Sequence, residues 1–241
     1  MPFMRWQKAA IFGASGGIGA ALTKNLAAQG CEVLAGSRTG TVPDGVNATP
    51  FRFDLEDEAS IAEVVAGWKS APPDLVIVSS GVLTLADGTG PERSLKQLDP
   101  AAMERVFRLN TIGPALIAKY ILPLLPRDRP STFAALSARV GSIGDNRLGG
   151  WHSYRASKAA LNMLIRNWAI ELSRTHKRAS IVGLHPGTVD TALSAPFQSG
   201  LPDGQLTLPE DAAGNLLGVL AGLGPDDSGK VFDWRGDIVP E

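Results

Sequence analysis

Short apolar runs alternate with longer helical patterns from one end of this chain to the other, and that alternation constrains the fold more than any other feature of the sequence. A strand buried on both faces reads as a continuous apolar run, and a parallel neighbour is reached only through a crossover, usually a helix. The pattern therefore specifies a parallel sheet covered on both sides. Candidate strands are Lys8–Phe12, Glu32–Ala35, Thr49–Phe53, Leu75–Val78, Thr132–Leu136, Ser180–Leu184 and Lys230–Phe232. Helices are expected near Gly17–Ala28, Glu58–Lys69, Ala101–Leu122, Tyr154–Arg174 and Pro209–Gly222. In the fourth of these, Leu161, Leu164, Ile165, Trp168 and Leu172 make an i, i+3, i+4 stripe, which is core or subunit interface. With 241 residues, 44% hydrophobic and 20% charged, the chain holds one large core. We expect a single α/β domain over residues 1–241, a doubly wound parallel sheet with helices on both faces.

The charge balance narrows the ligand class. The 23 basic and 24 acidic residues nearly cancel, and no basic run offers a nucleic-acid surface, so a small molecule is the expected partner. One cysteine, Cys31, precludes an intrachain disulfide and reads as a core residue at a strand start; no cluster has metal-ligand spacing. No stretch approaches the roughly 20 apolar residues of a membrane span, and the first ten residues lack a secretory pattern. A cytoplasmic location is expected.

Gly13-Ala14-Ser15-Gly16-Gly17-Ile18-Gly19 follows the first strand and opens a helix. Its backbone can approach a phosphate while the helix N-terminus presents N–H donors and the positive end of the dipole, which predicts a Rossmann-type dinucleotide site. The same residues also satisfy Gly-x-Ser-x-Gly, the nucleophile elbow of α/β-hydrolases. That reading needs earlier strands, and only twelve residues precede Gly13, so Ser15 is expected near phosphate or ribose and not as a nucleophile. An acid at the end of the second strand would bind ribose hydroxyls, and a base there would accept the 2′-phosphate of NADP. The chain has Ser37-Arg38-Thr39. NADP(H) is favoured over NAD(H), with Arg38 as phosphate partner and Ser37 as helper. Asp54, before Leu55 at the end of the third strand, is expected to accept from the adenine amino group, although a helix N-terminal acid is its plainer reading.

Tyr154 and Lys158 stack a phenol and an ammonium on one helix face. A free phenol, with a pKa of about 10, is a poor base at neutral pH, and a neighbouring cation favours phenolate. The pair is a candidate proton donor and acceptor; by itself the spacing is also that of an ordinary surface pair.

With the glycine turn at residues 13–19 and Tyr154-x-x-x-Lys158 well downstream, nearly the whole chain resembles the short-chain dehydrogenase/reductase family. The resemblance implies a catalytic group of Asn110, Ser137, Tyr154 and Lys158. Ser137 would hold the substrate carbonyl oxygen, and Tyr154 would supply the proton. Lys158 would act on Tyr154 and on the cofactor ribose, and Asn110 would mark a bend in its helix where water relays protons. It also implies cofactor contacts from Gly13, Ser15, Gly17, Ile18, Gly19, Leu55, Ser80 and Gly81, from Pro186, Gly187, Val189 and Thr191 of the segment Pro186-Gly187-Thr188-Val189-Asp190-Thr191, and from Asn110, Tyr154 and Lys158 themselves. Val189 would offer its backbone to the nicotinamide amide and Thr191 its hydroxyl to the pyrophosphate, whereas His185 is structural. Two positions depart from the family pattern: Ser79-Ser80-Gly81 stands where Asn-Asn-Ala-Gly is usual, and Phe12 stands for threonine.

The detailed resemblance is to the C-factor and sniffer-type carbonyl reductase branch. It implies an NADP(H)-dependent oxidoreductase acting on a carbonyl or alcohol, assembled as a homodimer or homotetramer. The alternative it admits is a dinucleotide-binding signalling or regulatory protein without physiological turnover. Leu83, Leu85, Val140, Ile143, Trp151, Leu193 and Phe197 are expected to line an apolar substrate pocket, and 194–208, within the cofactor and substrate segment 185–208, is expected to be a mobile loop.

Overall fold

The strands form because alternate residues of each apolar run face opposite layers of helix. In β1 (Lys8–Phe12), Ala9 and Ile11 join one core cluster while Ala10 and Phe12 join the other. The computed structural model describes residues 5–42, 44–199, 202 and 204–241. Seven parallel strands run in the order β3-β2-β1-β4-β5-β6-β9, with β2 at Glu32–Ser37, β3 at Thr49–Arg52, β4 at Leu75–Val78, β5 at Ser131–Leu136, β6 at Ala179–His185 and β9 at Val231–Asp233. The doubly wound sheet expected from the sequence is present. Helices α1 (Gly17–Ala28) and α6 (Pro209–Gly222) bury Leu22, Leu26, Leu216 and Leu220 on one face. On the other, α2 (Glu58–Ala66), α4 (Gly113–Ile121) and α5 (His152–Leu172) bury Ile61, Ile117, Ile121, Leu161 and Ile165. Phe12 belongs to this second face, packed edge-on against Phe51 at 5.1 Å, Phe53 at 5.0 Å and Trp68 at 5.9 Å. An aromatic core explains that departure from the family pattern.

Three expectations are corrected. The long helix expected at Ala101–Leu122 is α3 (Pro100–Phe107), a π turn at Arg108–Ile112, and then α4. Asn110 sits inside the π turn, at the bend in its helix that the resemblance implied. The expected loop at 194–208 carries a 3₁₀ turn at Ala195–Phe197 and strand β8 (Leu206–Thr207), which pairs in parallel with β7 (Thr188–Val189). Residues 200, 201 and 203 of that segment lie outside the described residues. Two-residue strands are too short to carry a period, so hydrogen bonding alone reveals them. Helix α5 begins at His152, two residues before the expected start.

Cys31 is buried beside β2, as expected, and burial pushes its thiol up to about 11. Among the described residues no helix is long and apolar enough to cross a membrane.

Candidate active site

The sheet order reverses between β1 and β4, and a crevice opens at the carboxyl ends of strands on either side of such a reversal. The glycine turn follows β1, and Ser79-Ser80-Gly81 follows β4, so both border that point. Gly13 has φ +99, and a Cβ on Gly19 would lie 2.1 Å from the Gly13 carbonyl oxygen. Only glycine lets the chain turn this tightly into α1. Ser15, Gly16 and Gly17 are exposed, Ile18 is half-buried, and the N-cap Gly16 offers no side-chain cap to the first N–H groups of the helix. These free donors and the bare backbone fit a dinucleotide phosphate.

Ser79 substitutes for the amide usual in the family. Its hydroxyl donates to the Phe12 carbonyl at 3.0 Å and the Gly13 carbonyl at 3.3 Å, tying β4 to the glycine turn. The Ser80 hydroxyl would lie 2.6 Å from a Cβ on Gly13. From the other side, Thr191 presents its methyl to Gly17, where a Cβ would come within 2.6 Å, while its hydroxyl donates to Val189 O at 3.4 Å. The turn and the 186–191 segment thus meet. Gly187, at φ +78, lies against Trp234, and Val189 and the half-buried Pro186 complete that wall.

At the end of β2, Arg38 is exposed. Ser37, expected as a helper at the same phosphate, is 2% exposed and is turned into its own loop: its oxygen accepts from Thr41 N at 3.1 Å and its hydroxyl faces the Thr41 carbonyl at 3.3 Å. Ser37 shapes the loop that carries Arg38. Asp54 accepts from Glu56 N at 3.0 Å, closing a turn, and Leu55 is buried against Gly113. Both expectations for Asp54 concern this one carboxylate, of which one oxygen is engaged.

The four residues Asn110, Ser137, Tyr154 and Lys158 converge from the π turn, the end of β5 and α5. Asn110 is fully buried and nearly saturated. Its amide oxygen accepts from Val82 N at 2.8 Å, and its nitrogen donates to Val82 O at 2.8 Å and to Ser157 Oγ at 3.2 Å. Lys158, 3% exposed, donates to the Leu136 carbonyl at 2.8 Å. A Cβ on Gly81 would lie 3.0 Å from Asn110 Oδ1, a tight approach, and 3.5 Å from Lys158 Nζ, so glycine makes room for the Asn110 amide beside the ammonium. No carboxylate lies within ion-pair distance of Lys158 among the described residues.

Tyr154 is half-buried, with Lys158 Nζ 5.9 Å from its ring centre. The sequence reading had the cation pull the phenol downward, and here burial dominates instead. It pushes Tyr154 up to about 12 and Lys158 down to about 8. The ammonium points at the Leu136 carbonyl and leaves the phenol protonated at neutral pH. Ser137, 4% exposed, donates to Asn162 Oδ1 at 2.6 Å. His185 is neutral near pH 7, since burial pushes its imidazole down to about 4.

The apolar wall assembles in part. The Trp151 ring stands 6.2 Å from Tyr154 and 5.2 Å from Phe197, edge to face. Leu83 and Leu85 are buried, Val140 is half-buried, and Ile143 and Leu193 are exposed. Trp151 holds φ 50, a left-handed conformation rare for a bulky residue, and its N–H donates to the Glu92 carbonyl. The Glu92 carboxylate accepts from Ser153 N at 3.1 Å and from the Ser153 hydroxyl. It thereby caps α5, whose own N-cap residue cannot. Glu92 and Asn162 were not anticipated. Nothing local announces Glu92, which lies 61 positions from Ser153, whereas Asn162 repeats the four-residue step of Tyr154 and Lys158 and was legible.

This arrangement can hold a dinucleotide along the strand ends and present a protonated phenol, a buried cation and a serine to a small substrate. It is the arrangement of an oxidoreductase, and the comparisons agree. The sequence pattern described as short chain dehydrogenase matches residues 7–201, and the chain belongs to that family. The chain is 36% identical over 171 residues to the C-signal of Myxococcus xanthus, covering 71% of this chain and 94% of that protein. Its structure superposes on an NADPH-bound carbonyl reductase from chicken fatty liver with a TM-score of 0.84 and 26% identity, covering 99% and 100% of the two chains. The carbonyl reductase Sniffer of D. melanogaster shares the fold, with a TM-score of 0.81, 20% identity and coverage of 98% and 99%. Both kinds of relative named in the sequence reading are therefore present.

Proposed function

We propose that the protein is an NADP(H)-dependent oxidoreductase that interconverts a carbonyl compound and its alcohol, with Tyr154 as proton donor and acceptor. The observation that carries this reading is Lys158. A cation buried to 3% exposure without an acid partner costs folding free energy, so its presence between Gly81, Leu136 O and Tyr154 calls for a functional account. NADPH, when bound, supplies the hydride and NADP⁺ accepts it. In reduction, Tyr154 gives its proton to the substrate oxygen as the carbonyl carbon gains the hydride, and the Lys158 charge stabilises the phenolate left behind. Ser137 holds the same oxygen. Asn110 keeps the Val82 loop and α5 in register, and Trp151 and Phe197 exclude water from one side. The glycine turn, Ser80, Gly81 and the 186–191 backbone bind the dinucleotide, and Arg38 takes the 2′-phosphate in preference to NAD(H).

Relatedness to the C-signal favours a second reading, a dinucleotide-binding signalling protein without physiological turnover. One experiment separates them: titration with NADPH, followed by a panel of aldehydes, ketones and quinones with the wild type and Tyr154→Phe. The expected result is carbonyl-dependent NADPH oxidation that Tyr154→Phe abolishes while binding NADPH normally. Binding without oxidation across the panel supports the signalling reading, and turnover that survives in Tyr154→Phe refutes the proton-donor role.

A further inference from the structure

β6 and β9 are neighbours in the sheet, paired in register through His185 and Asp233, so the chain leaves the two strands side by side. Pro186 and Gly187 follow one, and Trp234 follows the other. Gly187 has φ +78, and a Cβ built on it would lie 3.0 Å from Cδ1 and 3.2 Å from Nε1 of Trp234. The edge of the indole fills the space where a side chain at 187 would begin. Glycine takes either hand with similar ease, and Pro186 fixes only its own φ, so these two residues do not by themselves hold the turn. Trp234 braces it from outside. The indole is itself held in place: the guanidinium of the exposed Arg235 lies over it, 4.5 Å from the ring centre. The Asp233 carboxylate, 5% exposed, fixes the turn that carries both, accepting from Arg235 N at 2.9 Å and from Asp237 N at 3.1 Å.

The other end of the segment is anchored separately. β7 pairs with β8, Asp190 N donates to Thr207 O at 2.9 Å, and the Ser194 hydroxyl donates to the Val189 carbonyl. Successive N–H groups of a strand face opposite edges, so Val189 turns its N–H away from β8 and keeps it out of that pairing. Its direction then depends on the turn at Gly187. We propose that Trp234 is a positioning residue which, by bracing the Gly187 turn, aims the Val189 backbone at the nicotinamide half of the cofactor. The proposal rests on the dinucleotide-binding reading above. It brings the end of β9, far along the chain from every cofactor motif, into the site.

The test is calorimetric titration of the wild type, Trp234→Ala and Trp234→Phe with two probes. NADPH spans both halves of the site, whereas adenosine 2′,5′-bisphosphate carries the adenosine and the 2′-phosphate without the nicotinamide. Trp234→Ala is expected to weaken NADPH roughly three- to ten-fold, about the span of one hydrogen bond, and to leave adenosine 2′,5′-bisphosphate within two-fold. Its kcat for carbonyl reduction falls roughly ten- to a hundred-fold, as a small misplacement of the reacting ring does. Trp234→Phe, which keeps a flat edge against Gly187, recovers most of both losses. A merely structural role weakens the two probes alike, and that outcome overturns the proposal. So does unchanged NADPH affinity in Trp234→Ala, or a loss that Trp234→Phe shares in full. A wild type that binds neither probe sinks the dinucleotide reading, and the proposal falls with it. If the wild type binds NADPH without turnover, the oxidoreductase reading fails alone and the two-probe comparison still decides for or against Trp234.

Discussion

Lys158 and Arg38 are both cations, and their surroundings give them opposite uses. Burial brings the Lys158 ammonium down to about 8, within reach of ordinary buffers, while Tyr154 at about 12 stays protonated. The proposed reduction needs both groups protonated, so kcat/KM for NADPH is expected to be flat below pH 8 and to fall as pH rises through it. A profile for the free enzyme measured between pH 6 and 10 reads this directly. A fall on the acid side instead would place the controlling charge elsewhere. Arg38, exposed on a loop shaped by Ser37 and Thr41, is available to a dianion. Arg38→Ala should weaken NADPH about 10- to 100-fold, the span of a charged hydrogen bond, and leave NADH within two-fold. Calorimetric titration with each nucleotide checks it. These two residues were legible in the sequence because each lies at a fixed distance from a strand end or a helix partner. The burial that reverses the expected shift of Tyr154 was not, since it is made by elements remote in the chain.

Helix α5 carries Tyr154 and Lys158, and it is held by a residue outside itself. Its first turn lacks a side-chain cap from Trp151, and Glu92 supplies one through Ser153. Burial alone would raise the Glu92 carboxyl, but hydrogen bonds from the Ser153 hydroxyl and from backbone N–H groups outweigh it and hold the group below its ordinary value. A folded-state value below the unfolded one means stability present above the unfolded pKa and lost as pH falls through the folded value. Glu92→Gln should therefore cost about 1–2 kcal/mol near neutral pH, with the difference from wild type shrinking under acid. Urea unfolding at pH 7 and at pH 3.5 measures both. The elements themselves were readable wherever apolar period and length agreed, as in β1, β4, α1 and α6. Reading stopped where a contact replaced a period: the β7–β8 pair, the π turn around Asn110 and the Glu92 cap each depend on partners the local sequence does not name.

Across the whole molecule, two hydrophobic layers sandwich one sheet, and the site lies where its winding reverses. That plan was written in the alternation of apolar runs, because a parallel sheet with helices on both faces has few other ways to be encoded. Among the described residues, this apolar sandwich admits one buried ammonium without an acid partner, Lys158. Thermal robustness and activity thus pull in opposite directions at one codon. Lys158→Met, of similar length and without charge, should raise stability by on the order of 1–3 kcal/mol and abolish turnover. The gain should be full below pH 8, where folded and unfolded lysine are both charged. It should fade between 8 and 10.5, where only the unfolded chain still holds the proton. Thermal melts across that pH range, paired with activity, test the trade. A directed-evolution campaign that screens survivors of heat without assaying them would discard this lysine early and return a sturdier, inert protein.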